Sequence, residues 1–325
     1  MKLPELVASE SISKNIKLIG IPLILFLASI LFLMTGPQAL NLVESKVVSE
    51  NIPPEAVREG LVLSEAKQAQ KIEVISAGIP QPDVSAISFI AQDIETGKML
   101  YEKNIHQKLA PASTTKIMTA IIGSETFNNG DLLTVPQEAL VGGSTMGLNA
   151  FEKLTFRSLL YGMLLNSGND AAYTIAYNYP GGFNAFIEKM NTRALELGAK
   201  ETHFDNPAGF DSPNHYTSAY DLMLIGKAAA KNARLGKVFS TKETSVTSLD
   251  KNQVHILKNL NKLLDQDGVV GIKTGTTEMA GESLVGLVEK NNRTILTVIL
   301  NSKDRFGETK NIIDWIFRNY TWKIN

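Results

Sequence analysis

The C-terminal part of the chain carries two long apolar strand patterns, ESLVGLVEK and RTILTVILNS, with only Asn291 and Asn292 between them. A connection that tight makes neighbouring strands run antiparallel. An earlier strand pattern, AISFIAQD, begins at Ala86, turns at IETGK around Gly97 and pairs back through MLYEKN. GVVGIKTGTT adds another strand. Helix patterns fill the interval. Thr114 to Gly123 reads as a buried helix, and LTFRSLLYGMLLNSGNDAAYTIAYNY as two helical stretches broken at Ser167-Gly168. FNAFIEKMNTRALELGAK has apolar residues at 183, 186, 187, 190, 194 and 197 and stops at Gly198. HFDNPAGFDSPNHY is a polar loop, TSAYDLMLIGKAAAKNA a helix capped by Thr217 or Ser218, and ETKNIIDWIFRNY the closing helix. Strands at both ends with helices between predict an α+β fold: one antiparallel sheet built from the two ends, with a central helical cluster.

The bulk numbers exclude some functions. A length of 325 residues, 44% hydrophobic and 20% charged, supplies a real core. A net charge of −1 gives no electrostatic footprint for nucleic acid, so none is expected as a partner. Without cysteine there is no disulfide, thiolate metal site or cysteine nucleophile. His106, His203, His215 and His255 show no tight ligand spacing, so no metal is expected.

The run LIGIPLILFLASILFLM, Leu18 to Met34, holds no charge and as a helix would span about 25 Å. Lys2, Lys14 and Lys17 precede it, and Lys46 follows among Glu44, Glu50 and Glu55. The positive-inside rule then predicts a cytoplasmic N-terminus (1–17), a transmembrane anchor (18–36), an extracytoplasmic stalk (37–84) and a folded domain (85–325). A cleaved signal peptide and a core helix are the alternatives. The exit TGPQALNL, with proline two residues before Ala39, makes a poor cleavage site.

Chemistry is suggested by PASTTKIMTA, where Lys116 follows Ser113 by three residues. A serine hydroxyl is a weak nucleophile until a base takes its proton. Lysine serves as that base only when burial or a second cation destabilises its ammonium. At i and i+3 of an apolar helix start the two side chains share a face, near N–H groups that can meet an anion. Ser-x-x-Lys also occurs at Ser11/Lys14, Ser64/Lys67 and Ser248/Lys251, which lie before the apolar run, in the stalk and in a polar connector. Ser167-Gly168-Asn169 sits in a tight turn between apolar helices, and the same Ser-x-Asn spacing recurs at 13, 49 and 212. Asp170, next along, reads either as a helix cap or as a participant. Lys273-Thr274-Gly275 occurs once, on a strand, where glycine lets another backbone approach.

These three motifs, in this order, are the set of penicillin-binding proteins and class A β-lactamases. Over residues 86 to 320 the chain resembles the D-alanyl-D-alanine carboxypeptidases, low-molecular-mass penicillin-binding proteins of the β-lactamase/transpeptidase-like superfamily. The resemblance is carried by DIETGKMLYEKN, LAPASTTKIMTA, GSTMGLNAFEKLTFRSLLYGMLLNSGNDAA, FDNPAGFDSPNHYTSAYDLMLIG and GVVGIKTGTTEMAGESLVG. It implies that Ser113 attacks the penultimate D-Ala carbonyl of a peptidoglycan stem peptide and Lys116 takes its proton. Lys273 would depress the Lys116 pKa, Ser167 would relay a proton to the leaving amine, and Asn169 would hold the substrate amide. The N–H groups of Ser113 and Thr276 would form an oxyanion hole. Thr274, beside Gly275, would contact the terminal carboxylate, and Arg305 stands where the family places a second carboxylate-binding cation. A surface arginine without a role is the other reading of Arg305. No cofactor is implied, and β-lactams are expected as acylating inhibitors.

The chain also departs from the family pattern. It stops about fifty residues after Lys-Thr-Gly, so the small β domain and C-terminal amphipathic helix of many members are expected to be missing, with the N-terminal run as the anchor. No E-x-x-L-N glutamate lies between Asn169 and Lys273; Glu188 and Glu196 read as exposed helix positions, so a penicilloyl-enzyme should leave slowly. The competing functions are a D,D-endopeptidase on crosslinked stems, a membrane-tethered sensor that binds β-lactam or muropeptide without turnover, and an esterase for small substrates.

Overall fold

The computed structural model describes residues 72–250 and 252–324. The apolar run at 18–34, the cytoplasmic N-terminus and the stalk up to residue 71 lie outside them. Among the described residues no helix is long and apolar enough to cross a membrane.

Strand β1 (Ile72–Ser76) is followed by β2 (Ser88–Asp93) and β3 (Met99–Lys103). Then come α1 (Lys116–Thr126), β4 (Leu132–Thr134), β5 (Lys153–Thr155), α2 (Phe156–Leu165), α3 (Asn169–Tyr177) and α4 (Gly182–Glu196). Helices α5 (Ala219–Ala230) and α6 (Ala233–Phe239) lead to a hairpin of β6 (Glu243–Thr247) and β7 (Val254–Lys258). The chain continues through β8 (Val269–Thr277), β9 (Gly281–Lys290), β10 (Arg293–Ser302), α7 (Arg305–Asn319) and β11 (Tyr320–Ile324). The main sheet has the order β3-β2-β10-β9-β8, with every neighbouring pair antiparallel. The two ends of the domain therefore share one sheet, as the terminal strand patterns predict.

Strand β10 lies at the centre of that sheet and is buried on both faces, which is why it reads as a nearly continuous apolar run. Leu296, Val298 and Leu300 join the core shared with the helices. Ile295 and Ile299 face the second core, with Ile312, Ile313 and Ile316 of α7. Helix α5 packs on β2, β9 and β10, and α1 packs in turn against α2, α3, α4 and α5. Residues Lys116 to Gly123 of α1 are buried without interruption, as expected for a helix apolar on all sides. The one cation in that run is the lysine of PASTTK.

The domain begins earlier than residue 85. Strand β1 pairs antiparallel with β11, and Val74 packs on the second core beside Tyr320 and Trp322. The segment between β1 and β2 is tied down by Trp315 Nε1 donating to the Ile79 carbonyl (3.1 Å) and Lys103 Nζ donating to the Val84 carbonyl (2.7 Å). Residues 72–84 therefore belong to the fold and not to the stalk. The sequence hid this because β1 is five residues long, prolines follow it at 80 and 82, and its partner is the far end of the chain. The polar connector around Ser248 is likewise the tip of the β6–β7 hairpin.

Candidate active site

Ser113 lies in a short 3-10 turn, Ala112–Thr115, that precedes α1. The α-helix proper starts at Lys116, two residues later than the sequence pattern predicts. Thr114 Oγ1 donates to the Pro111 carbonyl at 2.6 Å and tightens the turn. Two glycines from other elements press on it. A Cβ on Gly209 would fall 1.8 Å from the Ala112 carbonyl oxygen, and Gly209 itself has φ +92°. A Cβ on Gly275 would fall 3.0 Å from both Ala112 Cβ and the Ser113 nitrogen. Only glycine lets the loop at 205–210 and strand β8 close on the serine turn from both sides.

Lys116 has no exposed surface. Its Nζ is 2.9 Å from Ser113 Oγ, 2.7 Å from Asn169 Oδ1 and 2.7 Å from the Ala208 carbonyl. Burial holds its pKa well below the usual lysine range, and Lys273 pushes it down further. Asn169 Oδ1 and the Ala208 carbonyl only accept, so each takes an N–H bond, and the third direction faces the Ser113 hydroxyl, which can accept from an ammonium or donate to the lone pair of a neutral amine. Because the pKa is lowered, the neutral form is the favoured one, and it can act as a general base on that hydroxyl.

Asn169 is held at every polar atom. Its Nδ2 donates to the Gly142 carbonyl at 2.8 Å and its backbone N–H to the Ser144 carbonyl at 2.7 Å. Ser167, on the same turn, is buried, has φ +59°, and its hydroxyl bonds no other described residue. Asp170 is neither a simple cap nor a partner of Lys116 by hydrogen bond. Its buried carboxylate accepts from the N–H groups of Met146, Gly147, Leu148 and Ala171 at 2.9 to 3.1 Å. It pins the loop that carries Gly142 and Ser144, and through it Asn169.

On β8, Lys273 is 2% exposed and donates to the Thr274 carbonyl at 2.8 Å. Burial first, and the Arg305 cation second, bring its pKa down to about 7. Arg305 opens α7, earlier than the closing-helix pattern predicts. Its Nη1 donates to the Gly275 carbonyl at 2.7 Å and also bonds Thr276 Oγ1. Its buried Nε has no partner among the described residues. The side chain thus stands on the Lys273-Thr274-Gly275 strand, with its Nε free of any described partner.

Several contributors were not visible as motifs. The Ala208 carbonyl belongs to the Asn-Pro-Ala-Gly loop, where Asn206 Oδ1 accepts from the N–H groups of Ala208, Gly209 and Phe210 and shapes the turn. His215 places Nε2 2.8 Å from Thr115 Oγ1 and Nδ1 2.9 Å from Asp205 Oδ1. Burial pushes its pKa down to about 4, so it braces the serine turn as a neutral ring. The quoted phrase NPAGFD was the available signal, but a backbone carbonyl has no letter. Of the other Ser-x-x-Lys pairs, Ser248 donates to Asp250 and Lys251 lies outside the described residues, as do the two N-terminal pairs. Glu188 and Glu196 are exposed on α4. Among the described residues no group of three or more histidines or carboxylates is arranged to hold a metal ion.

The coupling of the two cations gives a signed test. Arg305→Gln removes a positive charge that disfavours the Lys273 ammonium, so the Lys273 pKa rises from about 7. An NMR titration of isotope-labelled lysine reads this directly. A Lys273 midpoint that stays near 7 in the variant would show that burial alone sets it.

A profile of the D-alanyl-D-alanine carboxypeptidase family matches residues 75–304. The D-alanyl-D-alanine carboxypeptidase DacF of Bacillus subtilis is 34% identical over 245 residues, covering 72% of this chain and 63% of the relative. DacD of Escherichia coli is 32% identical over 262 residues, with 74% and 66% covered. The chain thus spans just under two thirds of the length of these curated relatives. Among solved structures, the Streptomyces K15 DD-transpeptidase superposes with a TM-score of 0.70 at 31% identity, over 74% of this chain and 100% of that one. A D-alanyl-D-alanine carboxypeptidase of Mycobacterium tuberculosis also gives 0.70, at 29% identity, over 76% and 96%. With the three motifs brought together around Ser113 and the profile spanning most of the chain, this protein belongs to the D-alanyl-D-alanine carboxypeptidase family of serine peptidases.

Proposed function

We propose that the protein is a serine D,D-carboxypeptidase that removes the terminal D-Ala from peptidoglycan stem peptides through an acyl-enzyme on Ser113. The observation that carries this is the buried Lys116 amine, 2.9 Å from Ser113 Oγ with its other two partners acceptors only. Ser113 Oγ bonds to the carbonyl carbon of the penultimate D-Ala as its proton passes to Lys116. The carbonyl oxygen takes up negative charge and is met by the N–H groups of Ser113 and Thr276, each donor worth roughly 3 to 4 kcal/mol to the transition state. Collapse breaks the C–N bond, and the leaving D-Ala amine takes a proton through Ser167 from Lys116. Water then attacks the ester and gives a proton to Lys116, which passes it to Ser113 Oγ as the ester C–O bond breaks and the shortened peptide leaves as its acid.

Binding follows from charge and geometry. Protonated Lys273, Thr274 and Arg305 would hold the terminal carboxylate, and the anion in turn favours the Lys273 ammonium. Asn169 keeps one Nδ2 hydrogen beyond the bond to Gly142, and that hydrogen is available to the substrate amide. β-Lactams would acylate the same oxygen. The buried carboxylate nearest this chemistry, Asp170, is saturated by backbone N–H groups and is a poor base for water, which favours a long-lived penicilloyl-enzyme. A D,D-endopeptidase, or a DD-transpeptidase as the Streptomyces relative is named, would use the same acyl-enzyme with a different leaving group or acceptor.

The test is D-alanine release from a stem pentapeptide, beside intact mass with benzylpenicillin. Wild type releases D-alanine and gains one penicilloyl group on Ser113, whereas Ser113→Ala gains none and loses activity by about 10³-fold or more. Release that survives in Ser113→Ala contradicts the proposal. Acylation without release from linear or crosslinked stems favours the sensor reading instead.

The uncharged run at 18–34, with lysines on its N-terminal side, supports a single-pass anchor that holds the catalytic domain on the extracytoplasmic face. Alkaline carbonate washing of membranes should leave the chain in the pellet, and its release into the wash would contradict the anchor.

A further inference from the structure

Two adjoining cavities, of about 490 and 180 Å³, open where the start of α2 faces α6 and the β6–β7 hairpin. They share Asn129, Arg157 and Tyr161 and so form one groove. The larger is within the span of about 300 to 1,000 Å³ usual for ligand pockets. None of the motif residues around Ser113 lines either cavity, and acyl transfer gives this groove no task.

Its chemistry is one-sided. Arg157, Arg234 and Lys237 line it, and no carboxylate does. None of the three forms a salt bridge with a described residue, although the domain pairs other cations, such as Arg193 with Glu125 and Lys242 with Asp265. Arg234 spends one nitrogen on the Phe127 carbonyl at 2.8 Å, and the Arg157 guanidinium lies 5.7 Å over the Tyr161 ring. Arg234 and Lys237 are three apart on one helix and share a face. Tyr161 is 7% exposed and lines both cavities, and its hydroxyl bonds no described residue, so it is free to bond an oxygen of a ligand. The N–H groups that open α2 point to nothing further, because those of Phe156, Arg157 and Ser158 already bond Asp131, Asn129 and Thr155. The wall also carries the hydroxyls of Thr241, Thr244 and Ser245, beside the apolar Leu160, Val238 and Val246. Unpaired cations set among hydroxyls and one aromatic face suit a polyhydroxylated chain bearing acidic groups.

We propose that this groove is a second binding site, separate from the catalytic cleft, for an anionic saccharide or polyol segment. Arg157, Arg234 and Lys237 hold its phosphate or carboxylate groups, and the Tyr161 hydroxyl bonds one of its oxygens. The inference does not rest on the acyl-transfer reading, since binding here needs no active Ser113.

The experiment titrates the whole protein with four probes and follows binding by calorimetry and NMR. They are a glycerol phosphate oligomer, an N-acetylmuramic acid disaccharide carrying a free lactyl carboxylate, a neutral chito-oligosaccharide and inorganic phosphate. One or both acidic polyols should bind, and which one does identifies the source of the anion. The double substitution Arg157→Gln with Arg234→Gln should weaken that binding at least tenfold while benzylpenicillin acylation of Ser113 keeps its rate. Tyr161→Phe, which preserves the ring, should weaken it by a smaller factor. Added salt should lower the affinity. Equal binding of the neutral sugar, phosphate binding as tightly as the polymers (an adventitious ion only), affinity unchanged in the double variant, or no binding by any probe would each overturn the proposal. Acylation unchanged in the double variant shows that it folded, so a loss of binding reports the groove.

Discussion

A lysine amine without exposed surface is costly to keep charged, and the architecture around Ser113 follows from that cost. Lys116 opens a helix whose next seven residues are buried. It reaches two carbonyl-type acceptors contributed by chain segments 53 and 92 residues away. Those acceptors satisfy two N–H bonds, and the third direction ends at a serine hydroxyl, which can meet either a third hydrogen or a lone pair. Burial and a neighbouring cation, by lowering the pKa, favour the lone pair there.

Electrostatics act in the same sense. Lys273 adds a like charge near Lys116, and Arg305 adds one near Lys273. A free carboxylate in this place would undo the effect by favouring the ammonium. Asp170 is the carboxylate whose charge does oppose the shift, and four backbone N–H groups take up its oxygens. Its work is mechanical. It fixes the loop whose carbonyls orient Asn169, and Asn169 orients Lys116. Gly209 and Gly275 complete the arrangement by letting two further backbones close on the serine turn.

Much of this was legible from residue types. Long periodic segments such as RTILTVILNS and the α4 pattern announced themselves, because burial on one face or two writes a clear period into the chain. The order of Ser113/Lys116, Ser167/Asn169 and Lys273-Thr274-Gly275 singled out one Ser-x-x-Lys among four, since only this copy begins an apolar helix. Three kinds of information stayed hidden. Strands β1 and β11 are short and pair across the whole length of the domain, and no local pattern marks such a partner. The acceptor on Ala208 is backbone and independent of side-chain identity. The task of Asp170 depends on a loop more than twenty residues away. The place of Arg305 depends on where α7 begins, which sets its guanidinium on the Gly275 carbonyl.

The central claim is that Lys116 is a neutral amine in the resting protein. NMR of ¹⁵N-lysine-labelled protein, with Lys116→Arg to assign the signal, measures its protonation across pH. The account predicts an amine signal at neutral pH and a midpoint far below that of an exposed lysine, moving upward in Lys273→Gln as the neighbouring charge is removed. An ammonium signal that persists to pH values near those of exposed lysines, about 10, would contradict it and would require another base for Ser113.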